Sequence, residues 1–376
     1  MQPNLRFLAV LLVTICGLYV VFLRSSRSDK NRKVEQPING SFTTRIVAVG
    51  DLHSDFENAQ TVLKMAGVVD EHGNWTGNVD YFVQTGDIID RGDDTIKLYL
   101  WMETLRSQAR HVGGDVFSHL GNHEWMNVIG DWRYVYPSEI KTFGSVAARQ
   151  KMLSTGRIGK AWQQNYSVTS RLPLHPEAGL PNADFISLPE DQSSPFSHSA
   201  LSFVHGGLSP TYQQLTPYPS RINDIGRKLL GRMQSRPPNP PHPPNPYIGL
   251  PEDATFEEKS LYDSDGPLWY RGWATDNEER VCGAIDDVLN RIGVRRLIMG
   301  HTPDFEQIVS RCGGKIIIID TGISHAYGGV LSALSINYTI TPSGTTSWTE
   351  REVISAVYPD REEILVSDER AVLRKL

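Results

Sequence analysis

The chain has 376 residues, of which 39% are hydrophobic and 21% charged, a composition typical of folded domains and long enough for one large domain or two average ones. Its net charge of −6 provides no basic field, which argues against nucleic acid as a partner. With three cysteines, one of them Cys16 in an apolar N-terminal run, the composition excludes a disulfide framework and a zinc–cysteine cluster, whereas a single Cys282–Cys312 bridge stays open.

The N-terminus predicts a membrane anchor. After a short tail at residues 1–6, residues 7–23 read FLAVLLVTICGLYVVFL, an uncharged run of 17 residues at the low end for a transmembrane helix. We expect an uncleaved signal anchor; a cleaved signal peptide is the alternative. Residues 24–42 are polar and basic and predict a flexible stalk.

The orientation of this anchor is ambiguous from sequence. The basic residues that follow the span would keep the folded part in the cytosol by the positive-inside rule. N-glycosylation sequons favour a lumenal location instead. We expect a single-pass protein of the endomembrane system with its folded domain in the lumen. The sequons are at Asn39, Asn74, Asn165 and Asn337.

A folded α/β domain is expected over residues 43–345. Apolar runs at 46–49, 81–84 and 116–120 predict three strands, and each is followed by glycine and a polar residue. Helical spacing of apolar residues lies between them, so the order β-α-β-α-β favours a layered α/β fold. The helix faces are Ala59, Val62, Leu63 and Ala66, then Leu98, Met102 and Leu105.

The second half is less regular. Residues 125–199 predict a cap-like insertion over or beside the site, with a solvated surface excursion as the alternative. Residues 235–255 form a Pro-rich loop or a partner motif. Residues 346–376 form a tail that is polar and partly strand-like and that the pattern does not place. Core elements between them are strands at 201–204, 296–299, 316–319 and 330–336, and a helix at 285–292.

Six polar side chains follow five of the predicted strands. The carboxyl ends of strands in an α/β sheet converge on one crevice, so we expect these groups to lie together. Their oxygen and nitrogen donors suit two divalent ions, manganese, iron or zinc, about 3.5–4 Å apart. Such ions can lower the pKa of a bound water to roughly 7. Asp87 is the expected bridge. The candidate ligands are Asp51, His53, Asp87, Asn122, His205 and His301.

Other residues suit phosphoryl transfer. His123, next to Asn122, is a candidate general acid, and Asp90 is a candidate to orient its ring. Arg91 can grip phosphate oxygens with its guanidinium fork. Further candidates are Arg271 as a second phosphate contact, Arg280 as its alternative, and His325 and Tyr327, which line the site or are ordinary loop residues.

These segments resemble a known family. GDLHSD at 50–55, GDIIDRGDD at 86–94, GNHEWMN at 121–127, HGGLSP at 205–210 and MGHTP at 299–303 resemble the calcineurin-like metallophosphoesterases, on the phosphoprotein-phosphatase side. The stretch 121–134, with GPLWYR at 266–271 and DTGIS at 320–324, is most similar to the Shewanella-like protein phosphatases. The resemblance covers residues 45–340 and implies a layered β-sandwich flanked by helices.

The resemblance also implies how the ligands divide and where this chain departs from the pattern. Ser54 stands where a glycine is usual, and the last histidine motif is GHTP, without the second histidine of many broader relatives. The implied first metal site is Asp51, His53 and Asp87, and the second is Asp87, Asn122, His205 and His301.

The sequence thus predicts a two-metal phosphoric ester hydrolase, a protein phosphatase in which metal-bound hydroxide attacks a phosphomonoester. The expected partners are a phosphorylated substrate, either phosphoprotein or small ester, and the membrane through the N-terminal helix. The first alternative is a polyphosphate or dinucleoside-polyphosphate hydrolase, because the same site can cut a phosphoanhydride. The second is a catalytically dead, membrane-tethered binding protein that uses the Pro-rich loop.

Overall fold

A computed structural model describes residues 40–189 and 193–373 of the protein. The predicted anchor at 7–23 lies outside the described residues, as does the predicted stalk up to residue 39, so both stay predictions. No helix in the described part of the chain is long and apolar enough to span a bilayer.

Two β-sheets form the centre of the fold. The seven-stranded sheet has the order β12-β11-β10-β1-β2-β3-β4, and the five-stranded sheet has the order β5-β6-β7-β9-β8. Strands β1 to β4 run parallel, as do β6, β7 and β9. The strands are β1 Phe42–Val49, β2 Tyr81–Gln84, β3 Asp115–His119, β4 Tyr166–Ser167, β5 Thr169–Pro173, β6 Ala200–Val204, β7 Arg296–Met299, β8 Val309–Arg311, β9 Ile316–Ile318, β10 Ala333–Pro342, β11 Ser347–Val357 and β12 Glu362–Leu373.

The alternation of side chains along β1 explains the layering. Ile46 and Ala48 are fully buried in a cluster with Ile298 and Ile317 of the other sheet. Their neighbour Val47 belongs to a second cluster, which includes the buried helix residues. Because successive strand residues point to opposite faces, one face of β1 packs on the other sheet and the opposite face on helices. The fold is therefore a mixed α/β fold with two packed sheets and outer helices, as the sequence predicts.

The helices follow the predicted apolar faces where these are regular. Ala59, Val62 and Leu63 are buried on α1. This helix begins after Asp55, whose carboxylate accepts a hydrogen bond from the Asn58 backbone N–H. The helices are α1 Phe56–Met65, α2 Thr95–His111, α3 Asn122–Val128, α4 Pro137–Phe143, α5 Val146–Leu153, α6 Arg157–Asn165, α7 Ser220–Gln234, α8 Phe256–Tyr262, α9 Gly272–Thr275 and α10 Glu278–Ile292.

Two sequence-based boundaries need correction. The region 125–199 is more than a cap-like insertion beside the site, because it also supplies α4 to α6 and then β4 and β5, which belong to the two central sheets. The region 346–376, as far as residue 373 where the described chain ends, is not a tail: β11 pairs with β10 from Trp348 to Val357, and β12 pairs with β11. The Pro-rich loop packs beside α3, where the Trp132 backbone N–H donates to the carbonyl of His242 at 2.7 Å.

Candidate metal centre and active site

The six predicted ligands lie together in one buried crevice. They follow β1, β2, β3, β6 and β7, whose parallel directions bring their carboxyl ends to the same edge of the two sheets. None of the six is more than 4% exposed. Water is therefore largely excluded from the groups that would bind ions.

The backbone around these residues is unusual. Of the eight non-glycine residues with positive φ in the described chain, six belong to the strand-end loops of the site. Such conformations cost free energy for residues with a Cβ and persist where the surroundings enforce them. Gly121 shows how tight the packing is, because a Cβ there would collide with the carboxylate of Asp87. The six residues are His53, Ser54, Asp87, Asp90, Arg91 and His301.

Asp87 lies at the centre of the crevice. Its Oδ2 is 3.8 Å from Nε2 of both His53 and His123, and its Oδ1 is 3.4 Å from Nε2 of His205. Two groups of potential ligands share it: Asp87 with His53 and His123, and Asp87 with His205 and His301. Within each group the donor atoms lie within 4.8 Å of one another. A carboxylate between two imidazole groups is the arrangement expected for a bridging ligand.

Asp51 and Asn122 complete the crevice. The carboxylate of Asp51 lies 3.9 Å from His53 Nε2 and 3.8 Å from His205 Nδ1, and it accepts the backbone N–H of His301. Asn122 Oδ1 is 2.7 Å from His205 Nε2. The structure thus brings all six predicted ligands together, although the first group contains His123 where the resemblance implies Asp51.

The charges of the crevice fit divalent cations. Burial raises the pKa of Asp51 well above its usual range, and the nearby carboxylates of Asp320 and Asp87 raise it further. His301 Nε2 is buried and has no hydrogen-bond partner among the described residues. Buried carboxylates and orphaned imidazole nitrogens are costly unless a cation joins them.

The imidazoles are suited to bind metal. Burial, helped by the neighbouring His123, lowers the pKa of His53 to about 3. Burial and the charges of His205 and Arg271 lower the pKa of His301 well below its usual range. Neutral imidazole is the ligand form of histidine, so these side chains need no deprotonation before binding a metal.

His123 and Asp90 form a hydrogen-bonded pair. His123 Nδ1 is 2.8 Å from Asp90 Oδ2, and the Asp90 carboxylate is fully buried. Burial alone would lower the pKa of His123, but the charge of Asp87 and the hydrogen bond to Asp90 outweigh it and leave the pKa raised. An ionised carboxylate only accepts hydrogen bonds, so Nδ1 carries a proton in this pair, and Nε2 faces Asp87 in the crevice at 3.8 Å.

Arg91 is held between two aromatic rings. Its guanidinium carbon lies 4.2 Å from the ring centre of Tyr134 and 4.9 Å from that of Tyr327. Its Nε is buried without a hydrogen-bond partner among the described residues. Tyr327 also contacts His53, with ring centres 5.3 Å apart, so Tyr327 lines the site. His325 does not, because it is exposed and pairs with Asp55 at the start of α1.

Arg271 lies at the rim of the site. Its Nη1 donates to the backbone oxygen of His301 at 2.8 Å and to Thr302 Oγ1 at 3.1 Å, while the side chain is exposed. It faces an open cleft of about 670 Å³ that also contains Arg280. Arg280 pairs with Asp276 at 3.4 Å and contacts no predicted ligand among the interactions described.

Three further residues were not predicted. Glu124 accepts from the backbone N–H groups of Gly121, Asp87 and Ile88 and so ties two ligand loops together. Asp320 follows β9 and lies next to Asp51; burial raises its pKa to about 6. Arg149 of α5 is fully buried and reaches Asp90. Only Asp320 carried a sequence signal, since it follows a strand as the ligands do.

Comparison with known proteins identifies the family. Residues 44–305, more than half of the chain, match the calcineurin-like phosphoesterase family. An uncharacterised protein of Schizosaccharomyces pombe is 36% identical over 84% of this chain and 82% of its own length. Shewanella-like protein phosphatase 2 of Arabidopsis thaliana is 26% identical over 81% of this chain and 77% of its own.

A solved structure has the same fold. The cold-active protein-tyrosine phosphatase of a psychrophilic Shewanella species superposes with a TM-score of 0.59 at 22% identity, covering 86% of this chain and 80% of that one. The chain belongs to the calcineurin-like phosphoesterase family, with Shewanella-like protein phosphatases among its relatives. It is therefore a metal-dependent phosphatase.

Proposed function

We propose that this member of the calcineurin-like phosphoesterase family is a two-metal protein phosphatase that hydrolyses phosphomonoesters. One observation carries the proposal: Asp87 is shared by two groups of buried ligand atoms, and the His123–Asp90 pair lies beside it. That combination supplies two cation sites and a proton donor within one crevice.

The residues that would hold the ions follow from the geometry. Asp87 would bridge, with Asp51 and His53 on one side and Asn122, His205 and His301 on the other. Two divalent ions bound there would neutralise charge on the phosphoryl oxygens and lower the pKa of a bound water. Oxygen and imidazole donors without thiolate are compatible with manganese, iron or zinc.

The remaining side chains act on the phosphoryl and leaving groups. His123 acts as an imidazolium, the form that its raised pKa favours, and donates the Nε2 proton to the departing oxygen, while Asp90 accepts the Nδ1–H and fixes the orientation of the ring. Arg91 binds phosphoryl oxygens, and its position between Tyr134 and Tyr327 limits the orientations of its fork. Arg271 would be the second phosphate contact, because its bond to the backbone of His301 holds it at the rim of the crevice.

Phosphoprotein is the proposed substrate because two curated relatives are named protein phosphatases. An open cleft is lined by Arg271, which bonds the backbone of the candidate ligand His301, and we propose this cleft as the place where a peptide lies. The test is a panel of phosphoserine, phosphothreonine and phosphotyrosine peptides, polyphosphate and a dinucleoside tetraphosphate, each with manganese. Phosphopeptide turnover that is absent from an Asp87→Asn preparation supports the proposal. Turnover of polyphosphate or the dinucleotide alone contradicts it.

We further propose that the domain lies in the lumen of the endomembrane system, tethered by residues 7–23. The Cys282–Cys312 disulfide and the exposed sequon at Asn74 support an oxidising, glycosylating compartment. Asn165 is a poorer acceptor because its amide donates to Glu103. Mass spectrometry of the native protein should find glycan on Asn74; an unmodified Asn74 together with free thiols would place the domain in the cytosol.

A further inference from the structure

A second set of buried charges lies behind the His123–Asp90 pair. The Asp90 carboxylate accepts two hydrogen bonds from Asn127 Nδ2, at 2.8 and 2.9 Å, and lies 3.4 Å from Nη2 of Arg149. Arg149 Nη1 donates to Asn127 Oδ1 at 2.6 Å. The carboxylate that holds His123 is therefore itself held from the opposite side by a fully buried arginine of α5.

Glu139 of α4 is the second carboxylate on this arginine. Arg149 Nη2 donates to Glu139 Oε2 at 3.1 Å, and both side chains are fully buried. The guanidinium also stacks on the ring of Trp132, with its carbon 4.4 Å from the ring centre. Charge, hydrogen bonds and stacking thus fix the plane of the fork, which a lysine in the same place would not achieve.

The network continues to the first metal-ligand loop. The Thr95 hydroxyl donates to Glu139, and Ser54 Oγ lies 2.5 Å from Thr95 Oγ1. Because the Thr95 proton is already used, Ser54 is the donor in that contact. Ser54 follows the ligand His53 and takes the place of a more usual glycine at φ 56°. The serine that replaces the usual glycine thus has a hydrogen-bond partner, Thr95, within this network.

We propose that Arg149 is a positioning residue for His123, acting through Asp90, with Glu139 and Ser54 anchoring it to the first ligand loop. This inference rests on the proposed phosphatase function. It makes the region after α3 part of the catalytic apparatus, although none of its residues is a proposed metal ligand. Asp90 alone could rotate about its side-chain torsions, and the contacts from Asn127 and Arg149 remove that freedom.

The role predicts a dependence on the leaving group. If Arg149 acts through the proton donor, its loss should slow esters whose leaving groups need a proton and spare those that leave as stable anions. A purely structural role would slow every substrate equally. Phenyl phosphate has a poor leaving group and 4-nitrophenyl phosphate a good one, and the two are similar in size, so they separate these cases.

The experiment compares Arg149→Met with wild type and with Lys151→Met, an exposed change on the same helix. We expect Arg149→Met to lose about 10- to 100-fold in kcat on phenyl phosphate and no more than about threefold on 4-nitrophenyl phosphate. Mass spectrometry should show that the variant still binds two metals. Lys151→Met should match wild type on both. Equal losses on both esters, or losses that follow metal content, overturn the inference.

A double-mutant cycle tests the path through His123. In a His123→Ala background, Arg149→Met should cost less than about twofold on phenyl phosphate, because the donor it serves is gone. If Arg149→Met costs as large a fold-loss in the His123→Ala background as it does in the wild type, the inference is contradicted. If Arg149→Met does not fold, Arg149→Lys carries the same test, since it keeps the charge but loses the fork; a loss of about five- to tenfold on phenyl phosphate is expected.

The outcome for this network is separable from that for the proposed function. If wild-type protein with manganese hydrolyses neither ester, the phosphatase proposal fails. If wild type is active and His123→Ala shows the leaving-group effect but the Arg149 variants do not, only the network role fails.

Discussion

Replacing His123 with alanine tests the proton-donor role most directly. The ring contacts His53 and Tyr134, with ring centres 4.7 and 4.9 Å apart, and its Nδ1 bonds Asp90. Removing it breaks that hydrogen bond, but the Asp90 carboxylate keeps its two contacts from Asn127. The buried charge is therefore not left without partners, and the variant should fold.

The expected effects can be bounded. A general acid contributes about 10²- to 10⁴-fold, equivalent to about 3–5 kcal/mol of transition-state stabilisation. The free energy of unfolding should fall by about 2–4 kcal/mol, because the substitution leaves a cavity where a buried ring packed. The loss in rate should be largest for phenyl phosphate and smallest for 4-nitrophenyl phosphate.

The assay measures kcat on both esters together with bound metal. His325→Ala is the matched control, since that histidine lies near the first loop but is exposed and pairs with Asp55. We expect the control to keep wild-type rates and His123→Ala to keep both metals.

Two results would refute the reasoning. Unchanged kcat on phenyl phosphate at full metal content would exclude His123 as the acid. Loss of one metal would instead make His123 a ligand, an outcome that the distances allow because its Nε2 is as near to Asp87 as that of His53.

The other predictions concern the bridge, the phosphate contact, stability against pH and the disulfide. Asp87→Asn should weaken metal binding more than about 100-fold, measured by titration with manganese; retention of two ions would contradict a bridging role. Arg91→Lys keeps the charge but loses the planar guanidinium fork, so kcat/KM should fall about 10- to 100-fold. An unchanged kcat/KM would show that Arg91 does not bind the phosphoryl oxygens. Burial raises the pKa of Glu139 to about 7 from 4.5, so the folded state binds that proton more tightly. The free energy of unfolding should therefore decrease as pH rises from about 4.5 to 7, and Glu139→Gln should flatten that slope in urea titrations. Replacing Cys282 and Cys312, which are 30 residues apart, with serine should cost about 3–4 kcal/mol by thermal unfolding, and an equal stability would argue that the bridge is not formed.

The convergence of the six candidate ligands could be predicted because their arrangement follows from a local rule. Each follows an apolar strand, and parallel strands bring their ends together whatever the intervening sequence. Asp320 obeys the same rule and could have been included. Glu124 could not, because its partner at the helix start is Gly121, and a glycine lacks the hydroxyl that marks a capping pair in sequence.

The C-terminal strands were missed for a different reason. On β11 the positions that face inward include Glu350 and Glu352, both nearly fully buried. Glu350 pairs with Arg295, which precedes β7, at 2.6 Å, and Glu352 pairs with Arg296, the first residue of β7, at 3.0 Å. Ion pairs across the sheets therefore occupy places where apolar residues would have produced the alternation that identifies a strand. The sequence of β11 consequently looks like a polar tail.

Arg149 and Glu139 were hidden by the same effect. A charged residue on a helix is normally solvated, so the sequence gives no reason to bury either of them. Their burial is favourable only because Arg149 of α5 meets two carboxylates, Glu139 of the neighbouring α4 and Asp90 of the loop after β2. To predict such buried ion pairs, one must know how three segments of the chain meet. To predict a candidate ligand after a strand, one needs only the sequence of that strand and its loop. The region between β3 and β4 is therefore where the family pattern is least informative about mechanism, and where substitutions at Arg149 distinguish a positioning role from a structural one.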